Sequence, residues 1–491
     1  MGFALTIIYI VAAIISPEQF GKEWASYHAL TYLAVITAIA SFPSVMAYKS
    51  RKPSVQAFLL MGLMGAIAVS QVANGWLGGV LDSMRVFLPS AAVFFFLIVN
   101  VTTIRRLKIV TFAVVASCMG VAVEALFGYY AGYGGETFVL HNNVYSPQDE
   151  LIGQLMRIRG AGFLGDPNDL AQFLLVVLPL VFMAWQRRRM FVNFFVVLLP
   201  SALLLWATYL THSRGGLIAL AAVALMAGRK KLGTSTSTVL AIVFIFGMLA
   251  LDFTGGRGIS AADGADRLGA WSNGLEMFKH APLFGIGFGN FTDFNEITAH
   301  NSFVLCLAEL GLLGSTLWLA LLVTTMMGLN RLTGETNKWF ARRFFDLKQL
   351  FEMSYINSAG ATAREQIGSE GTLVLNNTYV RETLPAEVLP CEVTANPSGA
   401  GIKMDDPSPQ IGEQKWIVAM RMALVSFMAS AWFLSRSYSI TMYLVLGLAT
   451  ATIALHPSES KPLDRGHWIF STLSLELIMI ILIYLLVRLR F

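Results

Sequence analysis

Long apolar runs alternate along the chain with short polar breaks. A helix that crosses a bilayer takes about 20 predominantly apolar residues. Runs of that kind cover 2–16, 27–47, 55–74, 80–100, 107–131, 168–186, 190–211, 213–228, 235–252, 301–329, 416–434, 437–455 and 468–488. The pattern predicts an all-α polytopic membrane protein with about 12 transmembrane helices (12–13, depending on whether the first and last runs cross fully). The first run has no basic segment before it and no small-residue cleavage site, so it reads as a span and not as a removed signal peptide.

The breaks carry the sidedness. Lys49, Arg51 and Lys52, then Arg105, Arg106 and Lys108, then 187–189, then 229–231 each follow an even number of runs. Loops rich in Lys and Arg stay cytoplasmic, which puts the N-terminus inside. Loops 132–167 and 253–300 and the short turn near Ser435 then face the periplasm. One break differs in kind. Residues 331–415 are polar, opening on "NKWFARRFFDLKQLFEM" and closing on "DDPSPQIGEQK". They read as a cytoplasmic insertion, partly disordered, whose basic amphipathic start lies on the membrane. The expected organisation is a transmembrane bundle over 1–330, the insertion over 331–415, and C-terminal transmembrane helices over 416–491.

Composition agrees with this picture and removes other classes. The chain is 55% hydrophobic and 13% charged, against roughly 25% charged in a soluble domain. The net charge of +5 belongs with cytoplasmic Lys and Arg, so no nucleic-acid partner is expected; membrane lipids are. Cys118, Cys306 and Cys391 are too few for a disulfide framework. No CxxC or HExxH spacing occurs, so no structural metal is expected. Internal repeats are not apparent, which speaks against an inverted-repeat transporter.

Charge inside lipid is costly, so ionisable groups at the mouth of a bundle are informative. Four stretches carry them on the outer side. "MRIRGAGFLGDPNDLAQF" from Met156 to Phe173 brings Arg157 and Arg159 to a helix start, with Asp166 as its cap and Pro167 at the first helical position. Asp166 and Asp169 also read simply as capping; Arg159 is not needed for that. "YLTHSRGGLIAL" places Arg214 in a tight turn before Gly215 and Gly216, which suits an anion site or a snorkelling anchor. "GADRLGAWSNGLEMFKHAPLFGIGFGNF" opens with Asp266 and Arg267 and sets Trp271, Leu275 and Phe278 on one helical face, as for a helix at the membrane surface. Its "GIGFGN" follows no strand and starts no helix at the right spacing, so it is not a nucleotide loop. Last, His300 precedes Asn301 and Ser302, either of which can cap the next span. A helix N-terminus disfavours an imidazolium, so His300 there stays neutral and able to take a proton. Glu124, Glu309 and Arg421 are ionisable groups within spans, where a structural role is the ordinary reading.

"RIRGAGFLGDPNDLAQFLLVVLPL", "THSRGG", "ADRLGAW", "PLFGIGFGNF" and "AHNSFVLCLAELGLLG" together resemble the O-antigen ligase and O-antigen polymerase superfamily. The resemblance runs from about residue 30 to 455 and leaves out 331–415 and the tail after 456. It implies a GT-C-type membrane glycosyltransferase with periplasmic helices in the loop before the span at 301. It implies an inverting, metal-independent transfer of a glycan from undecaprenyl diphosphate at the periplasmic face of the bacterial inner membrane, with no cofactor. Motif by motif, the arginine of "SRG" corresponds to Arg214 and the histidine before "NS" to His300. The arginine of the large loop corresponds to Arg267, with Arg257 close by, while Arg159 fits the first motif loosely. The implied chemistry has His300 as general base and Arg159, Arg214 and Arg267 on the diphosphate. Acceptors within the superfamily differ. A ligase uses lipid A-core, a polymerase another lipid-linked repeat, and a protein O-oligosaccharyltransferase a Ser or Thr; the first is the expectation here. From another class, a transporter or flippase of lipid-linked sugars is the rival.

Overall fold

Each apolar run forms a helix. The computed structural model describes residues 1–16, 29–49, 54–145, 151–250, 261–333, 408–456 and 465–489. In chain order the helices are α1 Gly2–Ile15, α2 Ala29–Lys49, α3 Val55–Ala73, α4 Leu77–Asn100, α5 Ile104–Ala131, α6 Pro167–Val181, α7 Met190–Leu210, α8 Arg214–Leu232, α9 Thr234–Ala250, α10 Ala261–His280, α11 Phe291–Phe294, α12 Ser302–Leu332, α13 Ser408–Ala431, α14 Ile440–Ala454 and α15 Arg465–Arg488. Among the described residues, 8 helices are long and apolar enough to cross a membrane, and shorter apolar ones cover Gly2–Ile15, Thr234–Met248 and Ile440–Ala454. The protein is an all-α polytopic membrane protein. The bundle belongs to one unit, Met1–Gly334 with Gly412–Phe491. The insertion expected at 331–415 lies almost wholly outside the described residues, as does Arg257.

Helix starts follow side-chain chemistry. Ser54, Thr103, Asp166, Ser213 and Asn301 each accept a hydrogen bond from a main-chain N–H in the first turn of the helix they precede. Such a cap contributes about 1 kcal/mol. Gly132 closes α5 in the left-handed conformation, at φ 70°. The core runs between α4 and α14, between α3 and α12, and between α6 and α7, with α15 against α12.

Two features of the loops 132–167 and 253–300 depart from the sequence pattern. Within 132–167 the chain forms a β-hairpin, β1 Val139–Tyr145 antiparallel to β2 Leu151–Ile158. Val139 and Ile158 bury its base, and β2 packs on α5 and α7. Within 253–300, α10 does carry Trp271 and Leu275 on a buried face, but that face lies on α12 and α15 rather than being left to lipid.

The "GIGFGN" stretch has a structural explanation. α12 breaks at Gly311, at φ 62° and ψ −162°, about 13 Å along its axis from Ser302 at 1.5 Å per residue. The loop after α10 fits into the break. Ile286 N–H donates to Ala308 O at 3.0 Å and Gly287 N–H to Glu309 O at 3.0 Å, while Leu312 N–H donates to Pro282 O at 2.9 Å. A β-carbon on Gly285 would sit 2.2 Å from the Glu309 carbonyl carbon, and one on Gly311 2.5 Å from that of Leu283. The end of α3 adds further bonds, through Gln71 Nε2 to Phe288 O at 2.8 Å and Asn74 Nδ2 to Gly285 O at 2.9 Å. Irregular backbone at such depth is tolerated only when buried in protein and fully bonded.

Candidate functional site

Three helix starts, those of α6, α8 and α12, and the turn between α13 and α14 meet at one end of the bundle. The contacts are specific. Gly215, at the start of α8, comes so close to Phe433 that a β-carbon there would lie 3.3 Å from the phenylalanine Cβ. Gly216 approaches Ala171 of α6 in the same way, at 3.2 Å. Ser302, the first residue of α12, holds the turn from both sides. Its Oγ donates to Leu434 O at 2.5 Å and accepts from Arg436 N–H at 2.9 Å, and its carbonyl accepts from Ser437 Oγ at 2.6 Å.

His212 and His300 have matching positions in this frame. Each lies immediately before a capping residue, and each has a positive φ, 50° and 47°. A non-glycine side chain in the left-handed region is uncommon and is kept where the surroundings impose it. At His300 the following Asn301 Oδ1 accepts from Phe303 N–H and Val304 N–H, at 2.9 and 3.1 Å. The Trp271 indole donates to Ala299 O at 2.9 Å. The histidine is thereby fixed from both neighbours.

His300 is half-buried, and its imidazole holds a proton less tightly than an ordinary histidine. Burial is the main cause, and the Arg267 guanidinium is the next. Asp166 opposes them, and Arg436 adds to Arg267. His300, Arg267, Asp166 and Arg436 therefore share one electrostatic neighbourhood. Arg214, the first residue of α8, is half-buried at the junction of that helix with α6 and the Phe433 turn.

Arg159 is bonded to main chain on both sides. It donates through Nε and Nη2 to Glu136 O and through Nη1 to Gly165 O at 3.2 Å, which braces the loop before α6. Its neighbour Arg157 is buried and reaches further into the frame. Nε donates to Thr211 O at 2.8 Å and Nη2 to Asn168 Oδ1 at 3.2 Å, tying the α8 turn to the start of α6.

Sequence reasoning passed over Arg436. Its Nε and Nη2 donate to the two carboxylate oxygens of Asp169, a bidentate ion pair between the α13–α14 turn and the first turn of α6. The signal was present in "FLSRSYS", a lone arginine in a short turn between apolar runs, as at Arg214. Chemically the site offers arginine forks that match phosphate oxygens beside a histidine suited to take a proton. Among the described residues no three His, Cys, Asp or Glu side chains gather as a metal-holding group.

Residues 199–319 match a family model, Wzy_C, described as O-Antigen ligase. The matched segment runs from α7 into α12, so it carries Arg214, Arg267 and His300, while Arg159, Asp169 and Arg436 lie outside it. The resemblance to the O-antigen ligase superfamily thus holds over this segment. It is the family of a membrane enzyme of the O-antigen ligase or polymerase type, glycosyltransferase-like, acting on a lipid-linked glycan and a lipid-bound acceptor. No curated protein matches the chain.

Proposed function

We propose that this chain, whose central segment carries the O-antigen ligase pattern, is an inverting glycosyltransferase. It moves an O-antigen glycan from undecaprenyl diphosphate to a sugar hydroxyl of lipid A-core at the periplasmic face of the bacterial inner membrane. The acceptor O–H gives its proton to His300 as its oxygen attacks the anomeric carbon. The bond from that carbon to the diphosphate oxygen breaks on the opposite face, and undecaprenyl diphosphate leaves. Arg214 and Arg267 bind the diphosphate and stabilise the charge that builds on it. Arg159, held by the loop before α6, joins them on the diphosphate. The observation that carries this reading is the shared neighbourhood of His300 and Arg267, in a segment that matches the family.

The test is a lipopolysaccharide gel from cells lacking the protein, complemented with wild type, His300→Ala or Arg214→Lys. Loss of every O-antigen rung, with polymer retained on undecaprenyl diphosphate, supports the ligase. Neither variant should restore the rungs, because lysine cannot reproduce the guanidinium fork. A single rung of one repeat points to a polymerase instead. An unchanged ladder points to a protein or exopolysaccharide acceptor, or to passage of the glycan across the membrane without a change of carrier.

A further inference from the structure

Arg436 is built into the site more firmly than a surface ion pair requires. A guanidinium has five N–H donors in a rigid fork. Arg436 spends two of them on Asp169, and the remaining three have no acceptor among the described residues. Its side chain stays 39% exposed, whereas that of Asp169 is only 5% exposed. The buried carboxylate therefore grips one edge of the fork while much of the cation stays open. Asp169 lies in the first turn of α6, where the positive end of the helix already favours a carboxylate.

The backbone under Arg436 is fixed as well. Three hydrogen bonds tie residues 434–437 to Ser302, two residues after His300. Phe433, on the other side, packs on Gly215 next to Arg214. The turn thus joins the histidine and arginine parts of the site, and the Arg436 charge reaches His300. A surface pair between flexible side chains is worth roughly 0–1 kcal/mol and needs no such scaffold.

We propose that Arg436 is a further diphosphate-binding residue of this site, oriented by Asp169 and by the Ser302-held turn. The proposal rests on the donor reading given above. Asp169 positions the fork without touching the donor, and Arg436 joins Arg214 and Arg267 around the diphosphate.

The experiment measures binding of a polyprenyl diphosphate without glycan to the full-length protein in detergent. The key variant is the double change Asp169→Asn with Arg436→Gln. It removes one charge of each sign and keeps a hydrogen-bonding pair in the same place. It should elute and melt as wild type does, and its Kd should rise at least about tenfold, as expected for loss of charge-assisted bonds to a phosphate. Arg436→Lys, which keeps a cation beside Asp169, is the second variant and should fold normally and bind several-fold more weakly. Wild-type affinity in both variants overturns the role of Arg436 and leaves the donor reading standing. Absence of binding by the wild-type protein overturns the donor reading and this proposal together.

Discussion

His300 has two properties that can be separated by substitution. Its imidazole supplies the chemistry, and its left-handed backbone, at φ 47°, sets the approach to α12. Alanine at such a position is strained, whereas glycine is not. His300→Gly should therefore melt at or above the temperature of His300→Ala, while both lose turnover by roughly 10²–10⁴, the usual contribution of a general base. Equal turnover in His300→Gly and wild type would remove the base from the mechanism. The pH profile follows from the neighbours. A base works when unprotonated, so activity rises with pH through the histidine pKa, which lies below the ordinary 6.5. Taking away a nearby cation favours imidazolium, so Arg267→Gln should move the acid limb of kcat/KM to higher pH. Taking away the opposing carboxylate does the reverse, so Asp166→Asn should move it lower. Shifts of the opposite sign in a pH–rate titration would show that another group titrates. At this scale Arg267 is a candidate through the resemblance of its motif, whereas Arg214 and His300 stand out as candidates because they interrupt apolar runs. Arg436 was passed over although it does the same, since its significance depends on Asp169, which is 267 positions away in sequence.

At the scale of elements, hydropathy located the helices because lipid-crossing helices must satisfy every main-chain polar group within themselves. It could not locate the break in α12. The run through Gly311 is apolar on both sides, and the partner that fills the break comes from the polar loop before it. Glycine was the available signal, and it has a steric reason. Gly285 and Gly311 each face main chain, not a side chain that can swing away, so an added methyl group must displace backbone. Both also have positive φ, 69° and 62°. Gly285→Ala and Gly311→Ala should each lower stability by roughly 1–3 kcal/mol, read as a drop in melting temperature of the purified protein. Gly289→Ala is the control from the same loop, with φ 81° but open space around it, and should cost less. Equal losses at all three would mean that backbone conformation, not interlocking, sets the cost. The β-hairpin escaped notice for a different reason. In "VLHNNVY" apolar and polar residues do not alternate cleanly, and among the residues of β1 whose burial is described Val139, at the base of the hairpin, is the buried one.

For the whole molecule, the decisive property is which side of the membrane the site faces. In the sequence, Lys and Arg in alternate loops speak to it. The structure makes it testable by linking the hairpin to the site. Arg157 at the end of β2 reaches Thr211 at the start of the α8 turn, so hairpin and site share one end of the bundle. Lys231 lies at the other end of α8. His141 and Lys231 are both exposed, which makes them clean positions for cysteine labelling. Cys118 and Cys306 are buried and contribute little background, and Cys391→Ser removes the third. In that background a membrane-impermeant maleimide applied to cells with an opened outer membrane should label His141→Cys and should reach Lys231→Cys only after lysis. The reverse pattern would put His300 and the arginines on the cytoplasmic side. The bundle would keep its architecture, but a donor presented at the periplasmic face would have no path to the histidine, and the proposed reaction would have to be given up for one fed from the cytoplasm.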